Sequence, residues 1–147
     1  MYIVTKKSVI VTVVLTGLVF ILVIIGLSNS PIGDEETAWQ YVLALGWRIE
    51  RKAMAVEKMT VPLQFDEEYM EYNKLQNQAG FNLEAYRGKV VARYTFKIVQ
   101  QNGAETLRVN VLVFRGKVIG GDICTIELPG FMMPLDANKE QKGWIFN

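Results

Sequence analysis

An uninterrupted apolar run near the N-terminus, residues 8–27, constrains this chain more than any other feature. The run reads SVIVTVVLTGLVFILVIIGL and contains no charged residue. A stretch of about 20 apolar residues, rising about 1.5 Å per residue as an α-helix, matches the roughly 30 Å hydrocarbon core of a bilayer. Lipid offers no hydrogen-bond partners to the backbone, so the segment must be helical there. We therefore predict a single transmembrane helix over residues 8–27, in contact with the lipid bilayer.

The charges that flank this run predict its orientation. Lys6 and Lys7 precede it, whereas the first charged residues after it are acidic. Lysine and arginine near a span favour the cytoplasmic side of the membrane, and acidic residues contribute little. We expect residues 1–7 in the cytoplasm and the rest outside it, as in a single-pass protein of the cell membrane. A cleaved signal peptide is the alternative, but its apolar core is normally about 7–15 residues long, shorter than this run.

Composition limits what the rest of the chain can do. All 15 acidic residues and all basic residues except Lys6 and Lys7 follow the apolar run, so this part is nearly neutral. It lacks the basic excess of a nucleic-acid-binding domain. Histidine is absent, and Cys124 is the single cysteine, which excludes an intramolecular disulfide and a thiolate zinc cluster. We predict no nucleic-acid partner, no metal site and no cofactor.

The chain after the anchor divides into three parts. A linker rich in helix-breaking residues spans residues 28–33. One domain then spans residues 34–135, which is long enough for a single hydrophobic core. Residues 136–147 form a C-terminal tail.

Helices are predicted in the first half of the domain. Three consecutive acids at residues 34–36 suit a helix N-terminus, where the dipole favours negative charge, and Gly46 is a typical stop. Asp66 is a typical N-cap for a second helix, whose apolar stripe runs on to Gly80. One more helical turn, capped by Asn82, is expected directly after it.

Strands are predicted before and after the second helix. Residues 47–51 alternate apolar and charged side chains, which predicts a strand. Residues 53–63 are less regular and are compatible with a second strand or an extended crossing segment, and Pro62 argues against a central strand there. Regular alternation then predicts strands at residues 89–99 and 106–114, and a third consecutive strand is predicted at residues 117–125.

Short turns join these three strands, at residues 100–104 and at Arg115-Gly116, so we expect an antiparallel meander. Gly120-Gly121 inside the third strand indicates a bulge or a close backbone approach. The predicted fold class is α+β: a single N-terminal transmembrane helix followed by a small domain of two to three helices packed on an antiparallel β-meander sheet, with the helices covering the apolar face.

Several motifs of the domain resemble a bacterial family of domains of unknown function. They are YNxLQ at residues 72–76, GFxLxxYxG at residues 80–88 and VIGGDxC at residues 118–124. The resemblance extends over residues 37–135. It implies a short protein of Gram-positive bacteria with one N-terminal membrane segment, and it implies no catalytic residue.

Cys124 and two carboxylates are the candidates for chemistry. A reactive thiol at Cys124 would need a nearby cation or base, and the neighbouring Asp122 would raise its pKa instead. We favour the alternative that Cys124 is a small buried residue on an inward strand face. Asp122 and Glu127 are a candidate acid–base pair. No catalytic constellation is recognisable, so we assign no catalytic residue and predict that the protein is not an enzyme.

Two apolar segments near the C-terminus are the candidate partner contacts. They contain Phe131, Met132 and Met133 in a loop, and Trp144 and Phe146 in the tail. Exposed apolar clusters often mark interfaces. The alternatives are that these segments fold over the sheet or touch the lipid surface. Six aromatic residues could likewise line a groove for a peptide or glycan, although their spacing favours core positions: Tyr69, Tyr72, Phe81, Tyr86, Tyr94 and Phe96.

These observations favour a membrane-anchored extracytoplasmic module that binds a protein or cell-envelope partner without catalysis. Two alternatives stay open. The chain could be a small structural subunit whose anchor assembles with a larger membrane complex. It could also be an enzyme that uses a carboxylate or a thiol, in which case Asp122 is the first residue to suspect.

Overall fold

The computed structural model describes residues 31–99, 107–125 and 130–137, which form helices and a five-stranded antiparallel sheet. In chain order the elements are helix α1 (Pro31–Ala44), strand β1 (Ala55–Thr60), helix α2 (Glu67–Gln78), a 3₁₀ turn (Leu83–Tyr86), and strands β2 (Val90–Lys97), β3 (Leu107–Phe114), β4 (Lys117–Thr125) and β5 (Met132–Pro134). The predicted class, α+β with helices on an antiparallel sheet, is confirmed.

The sheet is a meander in which neighbours in the chain are also neighbours in space, in the order β1-β2-β3-β4-β5. The three consecutive strands predicted from the sequence are β2, β3 and β4. Between β3 and β4, Arg115 and Gly116 have φ values of 50° and 76°, as the central residues of a tight hairpin turn require. The turn predicted at residues 100–104 lies outside the described residues.

The strand predicted at residues 47–51 is wrong, because only Ile49 pairs there, in an isolated bridge to Ile98. The continuous strand in this region is β1. It lies within residues 53–63, for which the sequence was compatible with either a strand or an extended crossing segment. The chain leaves the sheet edge between these two places, where the backbone N–H of Ala53 donates to the Glu35 carboxylate of α1 at 2.9 Å. A contact with a distant helix therefore interrupts the edge, and a local alternation pattern cannot show it.

The helix ends follow from local capping. Helix α2 begins after Asp66, whose carboxylate accepts the backbone N–H of Tyr69 at 2.8 Å, as predicted for an N-cap. Asn82 caps the 3₁₀ turn and accepts the N–H of Glu84 at 3.0 Å. Helix α1 begins at Pro31 and so extends into the predicted linker. Proline suits a first helical turn because it has no N–H to leave unpaired.

Both faces of the sheet are covered, whereas the prediction placed helices on one. Helix α1 lies on the first face, where Ala38 and Val42 are fully buried against β2 and β3 residues such as Phe96. Helix α2 and the 3₁₀ turn lie on the opposite face. A second cluster of buried residues forms beneath them: Val61, Leu83, Val91, Leu112 and Ile119.

The predicted transmembrane segment, residues 8–27, lies outside the described residues. In the parts of the chain that the structure describes, no helix is both long and apolar enough to cross a membrane. The anchor therefore stays a prediction from the sequence.

Candidate functional site

Two rows of side chains cross the sheet on the face that carries α2. Directly paired residues of neighbouring antiparallel strands point to the same face, so the strand register aligns each row. The inner row consists of Thr95, Asn110 and Asp122. The outer row lies two residues further along the strands and consists of Lys97, Arg108, Cys124 and Met132.

Hydrogen bonds join the inner row to helix α2. The Thr95 hydroxyl donates to Asn110 Oδ1 at 2.8 Å, and Asn110 Nδ2 donates to Asp122 Oδ1 at 2.9 Å. The Tyr72 hydroxyl of α2 donates to the other carboxylate oxygen, Oδ2, at 2.9 Å. Asp122 is only 3% exposed. Because both oxygens of this buried carboxylate have donors, the inner row fixes α2 on the sheet.

The glycine pair of β4 allows helix α2 to approach the sheet closely. Gln76 is fully buried, and its Oε1 accepts the backbone N–H of Gly121 at 2.7 Å. A Cβ on Gly120 would lie 2.8 Å from the same oxygen. The register between β3 and β4 also shifts beside the pair, between Leu112 and Val113. The prediction of a bulge or a close backbone approach at this pair is confirmed, and both features are present.

The electrostatics of the two rows disfavour a thiolate. Burial raises the pKa of the Cys124 thiol, and the neighbouring Asp122 carboxylate raises that pKa further. Burial also raises the pKa of Asp122, against the opposing effect of the hydrogen bonds from Asn110 and Tyr72. A thiol nucleophile needs a lowered pKa. The inner row therefore acts as a structural network, and Cys124 presents a neutral thiol at its border.

The outer row is more accessible than the inner one. Met132 is 51% exposed, while Arg108 and Cys124 are half-buried. The Nζ atom of Lys97 lies 3.7 Å from Oε1 of Glu50. The buried Nε of Arg108 has no hydrogen-bond partner, and no ion pair to Arg108 occurs among the described residues. The outer row thus combines an exposed thioether with a half-buried guanidinium that forms no ion pair within the described residues.

The structure separates the predicted partner contacts. Two of them, Met132 and Met133, lie in strand β5, where successive residues face opposite sides of the sheet. Met132 therefore belongs to the outer row, whereas Met133 points into the core and is 6% exposed. Met133 is therefore corrected from a partner contact to a core residue. Phe131 is half-buried, and its N–H donates to the Thr125 hydroxyl at 3.0 Å. The tail residues Trp144 and Phe146 lie outside the described residues, as does Glu127, the proposed partner of Asp122.

The predicted aromatic residues belong to the packing of the two faces. Tyr94 and Phe96 are buried in the cluster under α1, and the other four are partly buried against one of the two clusters: Tyr69, Tyr72, Phe81 and Tyr86. Sequence reasoning missed Asn110 and Thr95. Asn110 gave one usable signal, since it is an uncharged polar residue between two valines in a strand.

No three cysteine, aspartate or glutamate side chains come together as a metal-ligand group within residues 31–99, 107–125 and 130–137.

A family model described as a domain of unknown function, DUF4830, matches residues 42–123. The matched range begins in α1 and ends in β4, so it contains Gln76, the glycine pair and Asp122. The predicted resemblance to a family of domains of unknown function is thereby confirmed. No curated protein and no solved structure matches the chain.

Proposed function

Because this chain belongs to the DUF4830 family of domains of unknown function, we propose a role that starts from the geometry of its sheet. The protein is a membrane-anchored, extracytoplasmic module that binds a protein or cell-envelope partner through the outer row, without catalysis. One observation carries this proposal: among the described residues, Arg108 has no anionic partner and shares its row with the exposed Met132.

The spacing of the outer row defines the chemistry of the partner. Arg108 and Met132 lie two strands apart, about 10 Å at the usual strand spacing. A guanidinium binds a carboxylate or phosphate with two parallel hydrogen bonds, and a methionine adapts to apolar surfaces of varied shape. The expected partner therefore presents an anionic group about one nanometre from an apolar one.

Two features support a binding role for this surface. The inner row holds the backbone beneath the outer row in place through hydrogen bonds that reach α2. The raised pKa of Cys124 supports a binding role over nucleophilic catalysis, because the thiolate is the reactive form. A surface that does not need to reorganise on binding loses less entropy.

A photo-crosslinking residue at position 132 should capture the partner in intact cells, and Arg108→Glu should abolish the product. The reversed charge repels the anionic group that the guanidinium would bind, so we expect the amount of crosslinked product to fall about tenfold or more. Digestion of the product with protease or with muramidase distinguishes a protein partner from a cell-wall polymer.

Met54 provides the matched control for this experiment, because it is 50% exposed against 51% for Met132 and lies just before β1 at the other side of the sheet. The same crosslinker at position 54 should give no product, and Arg48→Glu should leave the product at position 132 unchanged. Equal products from positions 54 and 132 would sink the proposal, as would a product that survives Arg108→Glu.

A cysteine at position 99 should report the topology of the anchor. Val99 is 46% exposed, and a membrane-impermeant maleimide should label Val99→Cys in a Cys124→Ser background in intact cells. Cys124 itself should react more slowly, because burial raises its pKa and only the thiolate reacts. Labelling of position 99 only after lysis would overturn the extracytoplasmic placement.

A further inference from the structure

We propose that one end of the sheet docks on the anionic phospholipid headgroups of the membrane that holds the anchor. The docking surface, here the basal patch, consists of Lys58, Lys89, Arg115, Leu63 and Val90. This inference rests on the membrane anchoring proposed above and adds an orientation for the domain relative to the bilayer.

The position of α1 brings the basal patch close to the predicted anchor. The predicted span ends at Leu27 and α1 begins at Pro31, so the connection reaches at most about 14 Å when fully extended. Asp34 lies in the first turn of α1 and lines the same groove as Lys58, Lys89 and Arg115. An anchor at residues 8–27 therefore holds this end of the sheet near the headgroups.

The charges of the basal patch complement an anionic surface. Its three cations line a groove of about 450 Å³, in which Asp34 is the single carboxylate among the lining residues. No ion pair joins any of the three to an acid in the described parts of the chain. The Arg115 guanidinium lies 5.2 Å from the Phe114 ring centroid, which holds it in place at the β3–β4 turn.

Two exposed aliphatic side chains accompany the cations. Leu63 is 73% exposed and Val90 is 58% exposed. Val90 lines the groove, and Leu63 lies against Gly88, another lining residue, where a Cβ would approach its Cδ2 to 2.8 Å. Cations combined with exposed apolar side chains are typical of surfaces that bind at the membrane interface. The tether makes the contact intramolecular, so a weak patch suffices to orient the domain.

The test compares two valines at opposite ends of β2 in the full chain, reconstituted into lipid nanodiscs. Val90→Cys or Val99→Cys, each with Cys124→Ser, carries a bimane fluorophore, and spin-labelled headgroups act as the quencher. We expect strong quenching at position 90 in discs that contain phosphatidylglycerol, weak quenching there in pure phosphatidylcholine, and weak quenching at position 99 in both. Each cation near an anionic surface contributes about fivefold in binding constant, so reversing all three should remove the lipid dependence.

The matched control reverses three cations near the opposite end of the sheet: Arg48→Glu, Lys52→Glu and Lys97→Glu. This control should keep the quenching at position 90, while Lys58→Glu with Lys89→Glu and Arg115→Glu should lose it at an unchanged unfolding temperature. Quenching that ignores the lipid charge, or that survives reversal of the basal patch, overturns the inference and leaves the anchor intact. A chain that does not insert into the discs at all overturns the anchor, and the inference fails with it.

Discussion

Alanine in place of Gly121 should lower the free energy of unfolding by roughly 4 kcal/mol or more, a large share of the stability of a small domain. A Cβ at this position would lie 2.3 Å from the carbonyl oxygen of Asn110 and 2.6 Å from Cδ1 of Leu135. The Asn110 oxygen belongs to the main chain of β3, a central strand, so it cannot move aside. The φ of Gly121 is also +155°, which residues with a Cβ rarely adopt.

Gly80→Ala is the matched control, because Gly80 has a φ of +76° and, apart from its chain neighbours, no described residue has an atom within 4 Å of the position of its Cβ. The control should cost about 1–2 kcal/mol, from the backbone conformation alone. Thermal unfolding of the full chain in a mild detergent, followed by circular dichroism, measures both variants. Each kcal/mol shifts the midpoint by about 4–8 °C in a domain of this size. Equal midpoints for the two alanine variants would contradict the steric argument.

The second large effect is expected at Asp122, where substitution by alanine should lower the free energy of unfolding by about 3 kcal/mol. The substitution removes the acceptor for both the Tyr72 hydroxyl and the Asn110 amide, and it leaves two partly buried donors without that acceptor between α2 and the sheet. Asp122→Asn keeps the shape and one acceptor oxygen, so it should cost less than half as much. Chemical denaturation of the three proteins at neutral pH measures the difference, and a smaller loss for alanine than for asparagine would contradict the network.

The same two proteins, wild type and Asp122→Asn, should also differ in their pH dependence. Burial raises the pKa of Asp122 above its ordinary value of 3.8, so the folded state binds a proton more tightly than the unfolded state does. The stabilising contribution of this group is therefore complete below the ordinary value and is lost as the pH rises through the raised one. The stability of wild type relative to Asp122→Asn should fall over that interval and then level off. A difference that rises with pH would show that the hydrogen bonds outweigh burial.

Local patterns predicted the centre of the sheet well and its edge badly. Strands β2 and β3 alternate with a period of two, which predicts them from the sequence, and the tight turn at Arg115-Gly116 predicts β4 after them. Strand β1 lies at the edge, with charged residues at positions 57 and 58, and its start depends on a contact between Ala53 and Glu35 of α1. No pattern within β1 encodes that contact.

The candidate site was less accessible to sequence reasoning, for a related reason. Alternation places Thr95 on the face of β2 opposite Tyr94 and Phe96, but it does not show that this face is covered as well, so that Thr95 is buried. Gln76 is an ordinary polar residue of a helix by its sequence, and only the approach of α2 to the glycine pair shows why it is buried. Asp122 was recognised as a residue to test, but its partners Tyr72 and Asn110 come from α2 and β3. Tertiary packing brings these partners together, so the sequence alone could not identify them.

The shortness of β5 has a consequence for contacts between copies of this protein. This strand ends at Pro134, opposite Asp122, so the earlier part of β4 has no strand neighbour on that side among the described residues. Just beyond that point, the Oε1 atom of Gln76 accepts the N–H of Gly121. A side chain of α2 therefore provides the hydrogen bond that a neighbouring strand would otherwise provide. Unpaired strand edges invite edge-to-edge aggregation. One carboxamide thus helps to keep the sheets of neighbouring copies from joining edge to edge.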